Sequence, residues 1–174
     1  MMRYFFGKIF PRLALMGAVL WFLDLSARAD ERVEPAWLAV NVGDGVPFGA
    51  DVSGIAAVEY RFANKFLGLH PKILLARSTT AANYLQLGAL YNWDIARPLR
   101  LTFSSGPGIY QRNHASRDLN YWLQFYTAVE ITVQLPSRQR IGLSFGHISN
   151  AGLREPNPGA EMIGLTYSIP LYRH

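Results

Sequence analysis

The sequence predicts an all-β fold, an eight-stranded antiparallel transmembrane β-barrel of the Gram-negative outer-membrane type, and three observations predict it. Apolar and polar residues alternate with period two through much of the chain after Asp30. The segments between these runs alternate long and short, as outer loops and periplasmic turns do. An export signal opens the chain.

Arg3, Lys8 and Arg12 form the positive flank of that signal, Leu13 to Leu25 its mostly apolar stretch, and Ala27-Arg28-Ala29 a small-x-small cleavage site. A single anchor helix is the alternative, but the block is short, holds Asp24 and ends in a cleavage pattern. Residues 1–29 therefore read as a cleaved signal peptide and residues 30–174 as one barrel domain. Losing Arg3, Lys8, Arg12, Arg28 and Asp24 takes Lys+Arg from 17 to 13 and Asp+Glu from 12 to 11, so the formal charge falls from +5 to +2. The sequence pI of about 9.7 thus owes much to the signal, no basic tract remains, and nucleic acid is not an expected partner. With no cysteine there is neither a disulfide framework nor a thiolate metal site.

The strands are placed, in order, near 36–42, 52–62, 66–76, 83–95, 99–110, 119–135, 139–149 and 160–171. In the second, Glu59 and Arg61 share one face and Ala56, Val58 and Tyr60 the other. The fourth carries Leu85, Leu87, Ala89, Tyr91 and Trp93 on one face, and the fifth Leu99, Leu101 and Phe103. The sixth is the clearest: Leu119, Tyr121, Leu123, Phe125, Thr127, Val129, Ile131, Val133 and Leu135 alternate with Asn120, Gln124, Glu130, Thr132 and Gln134. A membrane-crossing strand needs about 9–11 residues, and this one is long enough. Eight is an even, minimal barrel number. Trp37, Phe62, Trp93 and Tyr172 suit interfacial girdles. A soluble eight-stranded barrel would turn its apolar side chains inward; the Glu59–Arg61 face argues for a polar lumen instead.

Connections near 43–51, 77–82, 111–118 and 150–159 read as outer loops, and those near 63–65, 96–98 and 136–138 as short periplasmic turns. The segment Phe145-Gly146-His147-Ile148-Ser149-Asn150 leads into the last outer loop. Spacing of i, i+2 puts His147 and Ser149 on one strand face, about 6–7 Å apart at the backbone. A serine hydroxyl needs a base to accept its proton, and the imidazole needs a third group to orient it. A hairpin centred near Arg154 places Glu161 opposite His147, with Cβ atoms about 5 Å apart. Ile141, Leu143 and Phe145 share the face of the first two residues, and Ile163, Leu165, Ile169 and Leu171 that of Glu161. All three polar groups therefore extend lipid-facing surfaces, where charge is expensive and points to function. For either His147 or Ser149 alone, a polar residue at headgroup level is the simpler account.

Gly142-Leu143-Ser144-Phe145-Gly146 matches a G-x-S-x-G elbow, but no helical pattern follows and Ser144 has the opposite parity, so it reads as a small lumen-facing residue. His70, His114 and His174 lack paired carboxylates at metal-ligand spacing and read as solvated or interfacial; no metal is expected.

His147-Ile148-Ser149-Asn150-Ala151-Gly152, followed by Asn157-Pro158-Gly159 and Glu161, resembles the signature of the outer-membrane lipid A 3-O-deacylase family, PagL. The resemblance implies that Ser149 is the nucleophile, His147 the general base and Glu161 its orienting acid. It further implies an oxyanion hole from Asn150 and the backbone of Gly152, with Ala151 and residues 157–159 shaping the loop. The implied reaction is hydrolysis of the ester at position 3 of lipid A, releasing a 3-hydroxy fatty acid without a cofactor. Its substrate would be lipopolysaccharide in the outer leaflet; a homodimer is the oligomer left open. Arg77, Arg112, Arg117 and Arg154 at the outer rim are phosphate-binding candidates, with solvated loop charges the plainer reading for most. The residues themselves leave two other functions open: a non-catalytic structural or adhesive barrel, and another outer-membrane acyltransferase or phospholipase.

Overall fold

The computed structural model describes residues 34–46, 53–113 and 118–172, so the expected signal peptide, Arg117, His114 and His174 lie outside the described residues. Eight strands form one closed antiparallel barrel in sequence order: β1 (Ala36–Val46), β2 (Ser53–Arg61), β3 (His70–Ser78), β4 (Asn83–Ala96), β5 (Leu99–Gln111), β6 (Leu123–Gln134), β7 (Arg140–Ser149) and β8 (Ala160–Leu171). Pairing of β1 with β8, from Ala36↔Leu171 to Val46↔Glu161, closes the sheet and removes its edges.

Parity holds along β6. Gln124, Tyr126, Ala128, Glu130 and Thr132 are buried, whereas Val129, Ile131 and Val133 are exposed. Exposed apolar residues cover the outer face of every wall, including Val58, Leu87, Leu143 and Leu165. A protein surface built this way is stable only against hydrocarbon. Arginine at Leu143, which lies mid-strand between Ile131 and Leu165, is expected to cost about 2–4 kcal/mol. Urea unfolding in lipid vesicles would measure this, and the same change at an exposed loop residue such as Leu153 should cost far less.

Two strands begin several residues later than the sequence expectation. The sixth strand begins at Leu123 rather than 119, because Asn120 adopts a positive φ of 61° and breaks the alternation. Leu119 consequently turns inward, 3% exposed, and joins Leu74, Tyr84, Tyr126, Ala128 and Ile148 in the core. The third strand begins at His70, not 66. Before it, Leu67 and Gly68 both have positive φ (52° and 79°), and Phe66 and Leu69 exchange two backbone hydrogen bonds of 2.8 and 3.1 Å, a tight turn at the tip of a small ribbon. The second connection is therefore longer than the third, and the long/short rhythm fails at that place.

Inside, charges fill the middle and the end nearer the chain termini. Arg61 donates from Nη1 and Nη2 to the two Glu130 oxygens (3.0 and 2.8 Å) and from Nε to Glu59, while Lys72 donates to Glu59 (2.8 Å) and Ser104 (3.1 Å). Nearer the termini, Arg100 pairs with Asp94 and Glu34. Two sequence expectations are corrected here. Trp37 is not in an interfacial girdle but 8% exposed, with Arg140 stacked 5.5 Å from its ring centroid. His70 is not solvated; it shares the inward parity of Lys72 and Leu74, and its Nδ1 lies 2.9 Å from the Phe62 carbonyl. Towards the outer end the lumen widens into a cavity of about 400 Å³, bordered by small residues such as Ala39, Ala57 and Ala128.

Candidate active site

The last hairpin pairs without a bulge, because the register between Arg140↔Ser168 and Ile148↔Ala160 is uninterrupted. That regularity puts His147 directly opposite Glu161. The imidazole Nδ1 lies 3.2 Å from Glu161 Oε1. A proton held on Nδ1 by the carboxylate leaves Nε2 as the basic nitrogen. Both side chains are on the outer wall, with 48% and 27% of their surface exposed. Ser149 is half-buried at the end of β7 on the same face, one pleat beyond His147. Among the described residues the His147–Glu161 pair is hydrogen-bonded and the Ser149–His147 pair is not; such contacts commonly tighten only around a reacting group.

None of the three borders the internal cavity, which lies on the other side of the wall. Apolar side chains lie directly below them instead, with Phe145 and Ile163 each about half exposed. His147, Ser149 and Glu161 thus face the lipid acyl region and the headgroups above it.

The loop between β7 and β8 is braced by Asn150, which is fully buried. Its backbone N–H donates to Asn157 Oδ1 (3.0 Å), its side-chain amide donates to the Arg154 carbonyl (2.8 Å), and its Oδ1 accepts the Gly152 N–H (2.9 Å). In this arrangement the Asn150 side-chain amide and the Gly152 N–H, the donors expected for an oxyanion hole, are hydrogen-bonded within the loop. Asn150 acts here as a strut, a use that a short polar side chain after a strand commonly serves. From the neighbouring loop, Asn120 donates to the Pro156 carbonyl (2.9 Å) and ties the two outer loops together. Periodicity gives no sign of that link.

Gly159 lies against the His147 ring. Its φ is +53°, and a Cβ there would stand 2.9 Å from His147 Cε1 and 3.2 Å from the Ile148 carbonyl oxygen. Only glycine meets both demands without displacing the ring.

Ser144 points into the lumen, 8% exposed, and accepts a hydrogen bond from the Asn41 amide, so the G-x-S-x-G match is structural. Of the rim arginines, Arg77 donates to Asn83 and Arg112 pairs with Asp118, both at exposed positions, while Arg154 is an exposed loop residue. Among the described residues, no group of three or more His, Asp or Glu side chains is placed to hold a metal ion.

Comparison with known proteins adds an independent line. The family model described as "Lipid A 3-O-deacylase (PagL)" matches residues 50–170. Lipid A deacylase PagL of Bordetella bronchiseptica (strain ATCC BAA-588 / NCTC 13252 / RB50) is 39% identical over 54 residues, a stretch covering 31% of this chain and 30% of that protein. Among solved structures, the crystal structure of the outer membrane enzyme PagL superposes with a TM-score of 0.58 at 16% identity, covering 76% of this chain and 99% of that one. Neisserial surface protein A superposes with a TM-score of 0.54 at 7% identity, covering 78% of this chain and 96% of that one. At such identities the structural likeness concerns the barrel alone.

Proposed function

The chain belongs to the lipid A 3-O-deacylase (PagL) family, and from that premise we propose that it is an integral outer-membrane serine esterase that hydrolyses the ester at position 3 of lipid A. The observation that carries this reading is the His147–Glu161 pair on the lipid-facing wall, with Ser149 one pleat away on the same face. Lipid A sits in the outer leaflet, so its ester reaches such a wall without leaving the bilayer.

In this mechanism Ser149 Oγ attacks the ester carbonyl carbon while its proton passes to His147 Nε2. Glu161 holds the resulting imidazolium at Nδ1. Collapse of the tetrahedral intermediate breaks the bond to the sugar oxygen, which takes the proton back from His147. Water, deprotonated by His147, then attacks the acyl-serine and releases a 3-hydroxy fatty acid with Ser149 restored. Apart from water, no co-reactant is consumed. The negative oxygen of the intermediate calls for donors beside Ser149. For the Gly152 N–H to serve, Asn150 Oδ1 must release it, so oxyanion stabilisation by Asn150 and Gly152 requires this loop to rearrange around the substrate.

Mass spectrometry of lipid A from cells expressing the protein tests the function. Loss of one 3-hydroxyacyl chain is expected. Unchanged lipid A would favour a structural barrel, and a gained chain an acyltransferase.

Gly159→Ala is expected to lower kcat by about tenfold or more, because a displaced ring misplaces Nε2 and misplacement of that order is costly. The backbone penalty of a positive φ at alanine is about 1–2 kcal/mol. Kinetics combined with a urea midpoint separate the two: a large stability loss with normal kcat would contradict the role given to Gly159.

A further inference from the structure

The lipid-facing wall carries two more polar side chains that the triad does not use. Along the outward positions of β5 and β6, Leu101, Phe103, Val129, Ile131 and Val133 are apolar, and Ser105 and Thr127 interrupt them. Both are exposed, and their hydroxyl oxygens lie 2.9 Å apart. Their place follows from the register: Ser105 pairs with Thr127, Thr127 with His147, and His147 with Glu161. Four polar residues thus form one lateral row across four adjacent strands, in a wall that is otherwise apolar at this level.

The row is not horizontal. Glu161 and His147 lie near the outer ends of their strands, Thr127 lies further in along β6, and Ser105 further still along β5. Polar groups placed against hydrocarbon are costly unless they meet a partner. Ser105 and Thr127 lower that cost by bonding each other, but two hydroxyls joined by one hydrogen bond retain one donor and spare acceptor lone pairs. This remaining capacity faces the lipid beside the base. Cross-strand neighbours have Cβ atoms about 4.5–5.5 Å apart, so Thr127 is within reach of a group bonded close to an ester carbonyl held between Ser149 and His147.

We propose that Thr127 and Ser105 form a hydroxyl-binding subsite that selects for a 3-hydroxylated scissile acyl chain. The proposal rests on the deacylase reading above and deepens it. In a 3-hydroxyacyl ester the hydroxyl-bearing carbon lies two carbons beyond the carbonyl and is the next polar group on the way into the bilayer. The row offers its next polar pair in the same direction. An unsubstituted chain would leave that pair without its partner.

The test uses full-length protein in detergent micelles and two synthetic 3-O-acyl glucosamine lipids of equal chain length, one 3-hydroxylated and one unsubstituted. Wild type is expected to prefer the hydroxylated substrate by about tenfold in kcat/KM, the worth of one good hydrogen bond. Thr127→Val should bring that ratio close to one, mainly through KM for the hydroxylated substrate, and Thr127→Ser should keep it. Because a ratio is independent of how much protein has folded, a poorly folding variant still gives a reading. Hydrolysis by wild type without selectivity, or an unchanged ratio in Thr127→Val, overturns the subsite alone. Hydrolysis of neither substrate by wild type overturns the deacylase reading and the subsite with it.

Discussion

Ser149→Ala is expected to reduce lipid A deacylation by roughly 10⁴- to 10⁶-fold while leaving a folded barrel. The size follows from the chemistry, since removing the nucleophile of a serine triad abolishes the covalent route, and the residual rate comes from binding alone. Folding should survive because Ser149 is half-buried at the end of β7, where its side chain makes no loop-bracing hydrogen bond among the described residues. Glu161→Ala should also be severe, since the 3.2 Å contact to His147 Nδ1 is what selects the useful tautomer. Members of such a unit do not add. The Ser149→Ala/Glu161→Ala double variant should therefore be hardly slower than Ser149→Ala, as measured by release of hydroxy fatty acid from purified lipid A. A double variant slower by the full product of the two single losses would mean that the residues act separately.

Arg61→Ala is expected to destabilise the barrel by about 3–5 kcal/mol, the usual cost of leaving a buried charge without its partner. Arg61 holds both oxygens of Glu130 and one of Glu59, and all three residues are nearly buried. Lys72 still answers Glu59 when Arg61 is gone, but among the described residues no other side chain hydrogen-bonds the Glu130 carboxylate. Replacing the pair together, Arg61→Met with Glu130→Leu, should recover much of the loss, because whole ion pairs exchanged for apolar groups of similar size are often neutral. Urea midpoints in lipid vesicles followed by tryptophan fluorescence would show it. Equal destabilisation in the single and double variants would locate the loss in packing rather than in charge.

Much of the barrel was legible because period two carries two kinds of information at once. It marks where a strand runs and which side chains face lipid, so Leu143, Ile163, Gln124 and Glu130 all lie on the expected sides. The His147↔Glu161 register was legible for a related reason: a hairpin symmetric about Arg154 needs only the absence of a bulge, and β7 and β8 have none. What failed were places where backbone conformation overrides pattern. Leu119 continues the apolar alternation of the sixth strand in the sequence, yet Asn120 at positive φ turns it into the lumen. Leu67 reads as strand and is instead a turn residue at φ 52°, a conformation uncommon for a bulky side chain. Trp37 has the composition of a girdle residue and the parity of a lumen residue, and parity decided.

The site was legible in part for physical reasons of the same kind. Residue types and spacing single out a hydroxyl, an imidazole and a carboxylate, because each proposed role needs a particular functional group. They do not say where the loop's hydrogen bonds go. The resemblance implies an oxyanion hole from Asn150 and the backbone of Gly152, and it does not say that these amides are hydrogen-bonded to Arg154 and to Asn150 Oδ1 within the loop. Gly159 was placed in the loop without its contact to the imidazole, which depends on three-dimensional packing. Thr127 is counted in the sequence with the apolar series of the sixth strand, and its polar neighbours on β5 and β7 emerge only once the strands are paired.

In the proposed mechanism Ser149 is a nucleophile activated by His147 on the lipid-facing wall. Labelling the purified protein in detergent micelles with a fluorophosphonate, followed by peptide mass spectrometry, tests it most directly. A single adduct on Ser149 that disappears in the His147→Ala variant is the expected result. An adduct on Ser144, or an adduct on Ser149 that forms equally well without His147, would contradict it.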